Sequence, residues 1–332
     1  MKILAYTEPG NGCHWIRVRT PLKEFVKHGH SVVQADGIKK IPFEGWDIVI
    51  FNNLVGQIDR MNGNQKVGEY DIVEVIKEFQ KAGAKVVYDT DDGQDAIPPH
   101  IVNKFEFNKV LPSFYKFVKY ADLITVTTPE LKAHVRKHTK KPIVVLPNSI
   151  DPSEFPAKGK EDKIKIGYSG SISHTYDIEI AYPAIKALKK KYSVYFEILG
   201  FQHDFCKYKK PVKVYKYYEA LASLNADIMI CPLEDTEFNR CKSPLKFLES
   251  SMTGAAVLAS NVYPYKREMK KDWLVNDDEW YARLEELILN KEKREQMAKE
   301  QREWILKNRD IRNNWKLWEK KYESILAATP GN

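Results

Sequence analysis

The chain of 332 residues has only four cysteines, Cys13, Cys206, Cys231 and Cys241, set far apart and without a Cys-x-x-Cys pair. That spacing argues against a disulfide scaffold and against a cysteine-built zinc site, and it fits a reducing, cytoplasmic compartment. No apolar run reaches the roughly 18–20 residues that cross a bilayer. Met1–Tyr6 turns polar too soon for a signal peptide and reads as a first strand. Internal repeats and low-complexity tracts are missing, and so is the fixed glycine-lysine phosphate loop of kinase-type sites. The dinucleotide fingerprint G-x-G-x-x-G is also missing. After Gly10 and Gly12 its third position is Trp15, and no acid follows the second strand at the right spacing, which excludes a nicotinamide-dependent oxidoreductase.

What is present is globular: 43% hydrophobic and 30% charged residues, over a length that suits two domains. The net charge is +8, and residues 1–160 hold 23 basic against 19 acidic residues, so the excess is spread over both halves. Such a surface suits anionic partners: nucleotides, a membrane surface contacted peripherally, or nucleic acid. It is equally compatible with solubility alone. Clusters at Lys137–Lys141, Lys189–Lys191 and Lys207–Lys210, and the lysine-aromatic interleaving of Phe105–Tyr120, are the places where DNA contact would show, although the aromatic spacing there is also that of a packed helix.

Short apolar runs alternate with helical patterns. In the first half, strands are expected at Lys2–Tyr6, Ser31–Gln34, Asp47–Phe51, Lys85–Tyr88, Leu123–Val126 and Ile143–Leu146, with helices at Trp15–His28 and Tyr70–Ala82 and a third ending near Ala121. Pro147, Pro152, Pro156 and Gly159 and the charged run to Lys163 mark a linker. The alternation restarts with strands at Lys163–Gly167, Val194–Leu199, Val212–Tyr215, Ile228–Ile230 and Ala256–Ala259. Helices are expected around Ile178–Lys190, Tyr217–Leu224 and Pro244–Met252. Strand and helix in this order make parallel sheets covered on both faces. The last forty or so residues are helical, with Trp304, Trp315 and Trp318 as packing positions. The expected division is 1–155, 156–310, and a helix over 311–328 that returns to the first domain.

Ligands of open parallel sheets bind beyond the carboxyl ends of the strands, so those residues carry the chemistry. After the first strand comes Gly10-Asn11-Gly12-Cys13-His14, then Arg17, a loop whose glycines admit a ligand close to the backbone. Lys85–Tyr88 leads into Asp89-Thr90-Asp91-Asp92 and on to His100. Clustered carboxylates there suit a hydroxyl-contacting site, a general base, a divalent-metal site or a solvated loop. In the second half, Ile166-Gly167-Tyr168-Ser169-Gly170-Ser171, followed by His174, offers backbone amides to a phosphate. The segment Arg240-Cys241-Lys242-Ser243-Pro244-Leu245-Lys246-Phe247-Leu248-Glu249 is the most informative. It reads as a helix start with Ser243 as cap and Pro244 in the first turn. Lys242 stands beside amides suited to a diphosphate, and Glu249 lies inside the helix, where a carboxylate can accept two hydroxyls.

These blocks, with Ile198-Leu199-Gly200, Asp227–Leu233, Gly254 and the Pro147–Asp151 linker, resemble the GT-B glycosyltransferases, in particular the retaining, family-four-like group. The resemblance covers nearly the whole chain. It implies an α/β GT-B fold, two Rossmann-like doubly wound parallel-sheet domains facing across a cleft. It implies an enzyme that moves a sugar from a nucleotide diphosphate-sugar, UDP-linked, to an acceptor hydroxyl, with no catalytic metal or other cofactor. By position, Glu249 would hold the ribose, and Lys242, Ser243 and Lys246 the phosphates and sugar. Gly170, Ser171 and His174 would lie near the diphosphate, Gly12 would close over the donor, and Val214–Tyr218 would meet the base. Lys242 would stabilise the leaving group. Asp91 and Asp92 would contact the acceptor and act as base, with His14, Arg17 and His100 beside them. The acceptor would be a saccharide, a lipid-linked saccharide, or a hydroxymethylated pyrimidine of DNA. Two departures stand out. Cys241 replaces the first glutamate of the E-x7-E pattern, which also keeps open a non-catalytic nucleotide-sugar binder. Ser173, His174 and Thr175 stand where the group carries Arg and Lys, leaving Lys242, Lys246 and Arg240 to supply the charge.

Overall fold

The computed structural model describes residues 1–7, 10–35, 42–53, 58–62, 65–101, 104–157, 159, 163–204 and 206–328. Glu8 and Pro9 of the first loop and part of the charged linker lie outside them, and in the Phe105–Tyr120 segment the side chains of Phe105 and Phe107 are not described. The chain divides into two units. One comprises residues 1–97, 104–149 and 311–332, the other 98–103 and 150–310. The division falls at Ser149, six residues before the expected boundary, because the linker's Ile150 already belongs to the second unit: its amide donates to the Arg309 carbonyl at 2.9 Å and it bridges Asp310.

The first unit contains β1 (Lys2–Tyr6), β2 (Ser31–Ala35), β3 (Ile48–Asn52), a hairpin of β4 (Ile58–Asn62) and β5 (Gln65–Tyr70), then β6 (Lys85–Thr90), β7 (Leu123–Val126) and β8 (Ile143–Val145). Six of these form a wholly parallel sheet in the order β2-β1-β3-β6-β7-β8. Central strands such as β3 are buried along their whole length, as a sheet covered on both faces demands. Helix Ile72–Lys81 shows how the cover is written. Asp71 caps it by accepting from the Val73 amide at 2.7 Å, and Ile72, Val75, Ile76 and Phe79 turn inward at helical spacing. The C-terminal helix, Ile311–Ala327, completes this unit's core. Trp315 meets Phe25 edge-on at 5.5 Å, and Trp318 and Tyr322 are buried beside it.

The second unit has β9 (Lys165–Ser169), β10 (Tyr195–Leu199), β11 (Lys207–Lys209), β12 (Ile228–Cys231), β13 (Ala256–Ser260) and β14 (Leu274–Val275), again wholly parallel, in the order β11-β10-β9-β12-β13-β14. This is the doubly wound order in which the winding reverses at the central pair, here β9 and β12, and leaves a crevice beyond their carboxyl ends. In the first sheet the reversal lies between β1 and β3.

Three expectations need correction. Val212–Tyr215 is not a strand. The edge strand is Lys207–Lys209, and Val214–Lys216 is a 3-10 turn, because Val212 and Tyr215 are 41% and 57% exposed and have no buried face to hold a strand. The helix expected from Trp15 opens as a π-helical stretch, His14–Arg19, before Thr20–Lys27. Pro244 occupies the N-cap of helix Leu245–Met252, whose start no side chain caps, so Ser243 is not the cap. No helix among the described residues is long and apolar enough to cross a membrane.

Candidate functional site

In the second unit, β9 delivers Ser169, Gly170 and Ser171 at the reversal point, and β12 delivers Cys231. Gly200, which follows β10, has φ +125°, and any Cβ there would stand 1.9 Å from the Gly170 carbonyl oxygen. Gly170 donates its amide to the Leu199 carbonyl at 3.1 Å. The Gly170 loop is thus held by backbone contact with a residue that must be glycine. Ser171 is exposed and its hydroxyl lies 2.7 Å from that of Ser173.

Helix Leu245–Met252 follows, and its first amides point out of an uncapped start. Lys246 and Glu249 are three residues apart, on one face of it. The Tyr217 hydroxyl donates to Glu249 Oε2 at 3.2 Å and lies 3.0 Å from the Ser169 hydroxyl. Burial pushes the Glu249 carboxyl up to about 8, and burial likewise brings the Lys246 ammonium down to about 8. The site therefore holds an acid and a base that titrate in the same range, each ready to change charge when a ligand replaces lost solvation. Lys246 Nζ lies 5.6 Å from the Tyr168 ring centre, and Lys242 Nζ 4.1 Å from that of Phe238. Lys242 ends the short helix Glu237–Cys241 just before Ser243.

His174 is mostly enclosed. Burial, reinforced by Lys246, brings its imidazole down to about 4. Its Nδ1 lies 2.6 Å from Asp177 Oδ2. Burial opposes the ionised form of Asp177, but the His174 hydrogen bond and Lys246 outweigh it and hold the carboxyl below its usual range. The carboxylate can only accept, so Nδ1 carries the proton and Nε2 is an acceptor. His174 is a neutral side chain here and does not replace the missing cation. Neither does Arg240, whose guanidinium forks onto Asp235 at 2.6 and 2.9 Å on the surface. The charge falls to Lys242 and Lys246. Cys241 is buried, 3% exposed.

In the first unit, Arg17, expected at the acceptor, is a buried pin. Its guanidinium grips Asp89 at 3.1 and 2.6 Å and also donates to the Leu146 carbonyl at 2.6 Å and Asn148 Oδ1 at 3.0 Å. Asp89 further accepts from Thr125 at 2.6 Å and Asn52 at 2.9 Å. Four of the five guanidinium protons and four acceptor positions of the carboxylate are engaged inside the fold, and the Arg17 side chain is fully enclosed, so it is placed to hold the fold together rather than to meet a substrate. His14 is buried, with Nδ1 3.2 Å from the Thr7 hydroxyl. Burial and then Arg19 lower its imidazole. Gly12 is exposed, with open space where a side chain would be.

Asp91 and Asp92 follow β6. Burial, with Asp92 alongside, pushes the Asp91 carboxyl up to about 6. Asn53, at the end of β3, donates its side-chain amide to Asp91 Oδ1, and its φ of +40° places it in the left-handed region that few non-glycine residues visit. His100 belongs to the second unit, where Nε2 lies 2.8 Å from Glu234 Oε2 and the ring meets Tyr176 at 4.8 Å. The expected acceptor set is thus divided: Asp91, Asp92 and His14 belong to one unit and His100 to the other. Asp177 and Asn53 are not among the expected site residues, and Tyr217, expected only within the Val214–Tyr218 segment at the base, is found bonded to Glu249. The His174–Asp177 spacing was a usable signal; the other two meet their partners only through the fold.

No family model and no curated protein matches the sequence. Solved structures do resemble the fold. The Anabaena HepE complex with UDP-glucose aligns at 11% identity over 98% of this chain and 100% of that one, TM-score 0.66. The E. coli trehalose-6-phosphate structure bound with UDP-2-fluoro glucose aligns at 12% over all of both chains, TM-score 0.61. S. aureus TarM, crystallised as a mutant with fondaparinux, alpha-GlcNAc-glycerol and UDP, aligns at 12% over 87% of this chain, TM-score 0.60, and this chain spans 57% of its length. With two six-stranded parallel sheets wound in this way, the chain has the GT-B fold of these glycosyltransferase structures.

Proposed function

We propose that the protein is a glycosyltransferase that moves a sugar from a nucleotide diphosphate-sugar, UDP-linked, to the hydroxyl of a saccharide acceptor, with retention of configuration. The observation that carries this reading is the enclosed Glu249 carboxyl, bonded to Tyr217 and sharing a helix face with Lys246 beyond the strand ends where the second sheet reverses. In this reading Glu249 accepts the two ribose hydroxyls. Lys246, Lys242, the Gly170–Ser171 backbone and the uncapped amides of Leu245–Met252 meet the diphosphate. UDP-sugars and a saccharide ligand accompany the similar folds, which is why a UDP donor and a sugar acceptor come first.

During transfer, the bond between the anomeric carbon and the diphosphate oxygen breaks as the bond to the acceptor oxygen forms. The ring gains positive charge and the leaving diphosphate gains negative charge. Two lysines and fixed amides facing that developing charge lower the barrier, the largest contribution in most such sites. The acceptor proton goes to an oxygen of the departing phosphate. Asp91 and Asp92 hold and orient the acceptor hydroxyl, with Asp91 as a supplementary base.

DNA as acceptor has little support in the described residues. Within the interleaved segment Phe105–Tyr120, Phe114 and Phe117 are fully buried while Tyr115 is 45% exposed, so its aromatic spacing serves the packing of a helix. Incubation with a panel of nucleotide-sugars and saccharide acceptors, read by release of nucleoside diphosphate and by product mass, tests the proposal. Diphosphate release with a hexose or pentose mass added to a saccharide is expected. Tight nucleotide-sugar binding with no release and no product would leave a binding protein, the alternative that Cys241 raised.

A further inference from the structure

A second cluster of chemistry-bearing side chains lies in the first unit and takes no part in the proposed transfer. Asp95 stands in the loop that follows β6, four residues beyond Asp91. Its carboxylate reaches two histidines. Oδ1 lies 2.6 Å from His134 Nε2, and Oδ2 lies 2.8 Å from His138 Nε2. His134 is in helix Pro129–Arg136, and the chain continues past its end in a further turn, with the His138 amide donating to the Val135 carbonyl at 3.0 Å. Residues four apart in such a turn point the same way, so both rings face the incoming loop. One donor atom from each of the three residues lies within 4.8 Å of the others. The edges of Phe114 and Tyr115 pack against the His138 ring, with centroids at 5.7 and 5.5 Å.

Two features set this cluster apart from an ordinary ion pair. His138 Nε2 is buried and, despite its closeness to the carboxylate, makes no hydrogen bond among the described residues. A ring nitrogen in that position has a lone pair or a proton without a partner at the angle it needs, which costs free energy unless something else occupies the direction. The donor set is also specific. Two imidazole nitrogens and one carboxylate suit zinc-class ions and leave a fourth position open, whereas magnesium and calcium prefer oxygen throughout. Metal–ligand bonds of about 2.0–2.2 Å in a tetrahedron put donors about 3.4 Å apart. The observed separations, from 2.6 Å between the closest pair to no more than 4.8 Å, bracket that value.

We propose that Asp95, His134 and His138 form a binding site for one zinc-class divalent cation, which clips the loop after β6 to helix Pro129–Arg136. The same loop carries Asp91 and Asp92, so an occupied site would hold the base of the acidic segment in place. The role is structural and separate from the transfer chemistry. It stands whether or not the protein is a glycosyltransferase.

The test uses the full chain, stripped of metal by chelator dialysis and titrated with cobalt(II), whose visible bands report its ligands. Zinc is then added in competition. The expected result is one cobalt per chain, displaced by one zinc, and a rise in melting temperature with zinc. In His138→Gln and Asp95→Asn, each checked for folding by circular dichroism, the affinity should drop by at least the roughly 10–100-fold seen when even the outer shell of a metal site is disturbed, and the zinc-dependent rise in melting temperature should vanish. A wild-type chain that binds no stoichiometric metal overturns the proposal. So does binding that persists undiminished in both folded variants.

Discussion

Gly200 passes so close to Gly170 that a methyl group on it would lie 1.9 Å from the Gly170 carbonyl oxygen. No L-residue fits without moving the loop, and φ +125° would strain one even in open space. Gly200→Ala should therefore cost about 1–3 kcal/mol of stability and push the Gly170–Ser171 backbone away from a bound diphosphate. A thermal melt and a UDP titration on the folded variant check this. The expected pattern is a lower melting temperature together with at least a tenfold loss of UDP affinity. Unchanged affinity would mean that this loop does not touch the ligand.

The shared titration range of Glu249 and Lys246, both at about 8, gives UDP binding a proton signature. If the proposed donor reading holds, ribose hydroxyls donating to Glu249 would favour its anion, and phosphates near Lys246 would favour its cation. Binding at pH 6.5 should release protons, because Glu249 starts protonated. Binding at pH 9 should take protons up, because Lys246 starts neutral. Affinity should peak near pH 8. Calorimetry in buffers of different ionisation enthalpy measures both signs. In Glu249→Gln the release at low pH should shrink to the part that comes from the terminal phosphate of UDP, which itself titrates at about pH 6, and affinity should fall by about 1.5–3 kcal/mol, the range for hydrogen bonds to a charged group.

Lys246→Met separates catalysis from stability. A lysine whose folded-state value lies below its ordinary 10.5 destabilises the fold at neutral pH, where its buried charge must be maintained, and the cost fades as pH rises through about 8. Replacing it should leave the melting temperature at pH 7 unchanged or higher. Turnover should nonetheless fall on the order of 100–1000-fold, as for other lost donors to developing charge. Lys242→Ala should lower turnover in the same direction with the fold intact.

The sequence disclosed its architecture more readily than its pairings. Apolar runs such as Ile48–Phe51 and Ala256–Ala259 carry no polar interruption and had to be covered strands. The Lys246–Glu249 spacing was visible because both residues sit on one helix. Arg17 reads from the sequence as an acceptor contact because its partner Asp89 is 72 residues away, and nothing local announces that pairing. Tyr217 and Glu249 are 32 residues apart and meet only because β9 and β12 are neighbours. The hairpin of β4 and β5 lacks the apolar alternation that marks strands covered by a core.

The Arg17–Asp89 pair is enclosed, with side-chain exposures of 0% and 3%. Breaking such a pair from one side strands a charge and typically costs about 3–5 kcal/mol. Arg17→Met should destabilise by that amount in urea unfolding. The double variant with Asp89→Asn should be less damaged than the sum of the singles, because neither charge is then left alone. If Arg17 instead served the acceptor, Arg17→Met would raise KM with little change in the unfolding midpoint.

Asp91 couples stability to activity with opposite signs. Its folded-state carboxyl is raised from 3.8 to about 6, first by burial and then by Asp92. The native state therefore holds a proton that the unfolded chain releases, so stability is full below about 4 and declines as pH rises through about 6. Asn can keep the hydrogen bond from Asn53 without the buried charge. Asp91→Asn should stabilise the protein on the order of 1 kcal/mol at pH 8, and the gain should vanish near pH 3.5. Transfer should respond in the other direction. Wild-type turnover should rise with pH through about 6 as Asp91 ionises, and that limb should be missing in the variant. Asp92→Asn removes the neighbouring like charge and should shift the limb to lower pH without abolishing it. Paired melts and pH–rate profiles for the three proteins distinguish this arrangement from a merely solvated acidic loop, in which neither substitution would move the profile.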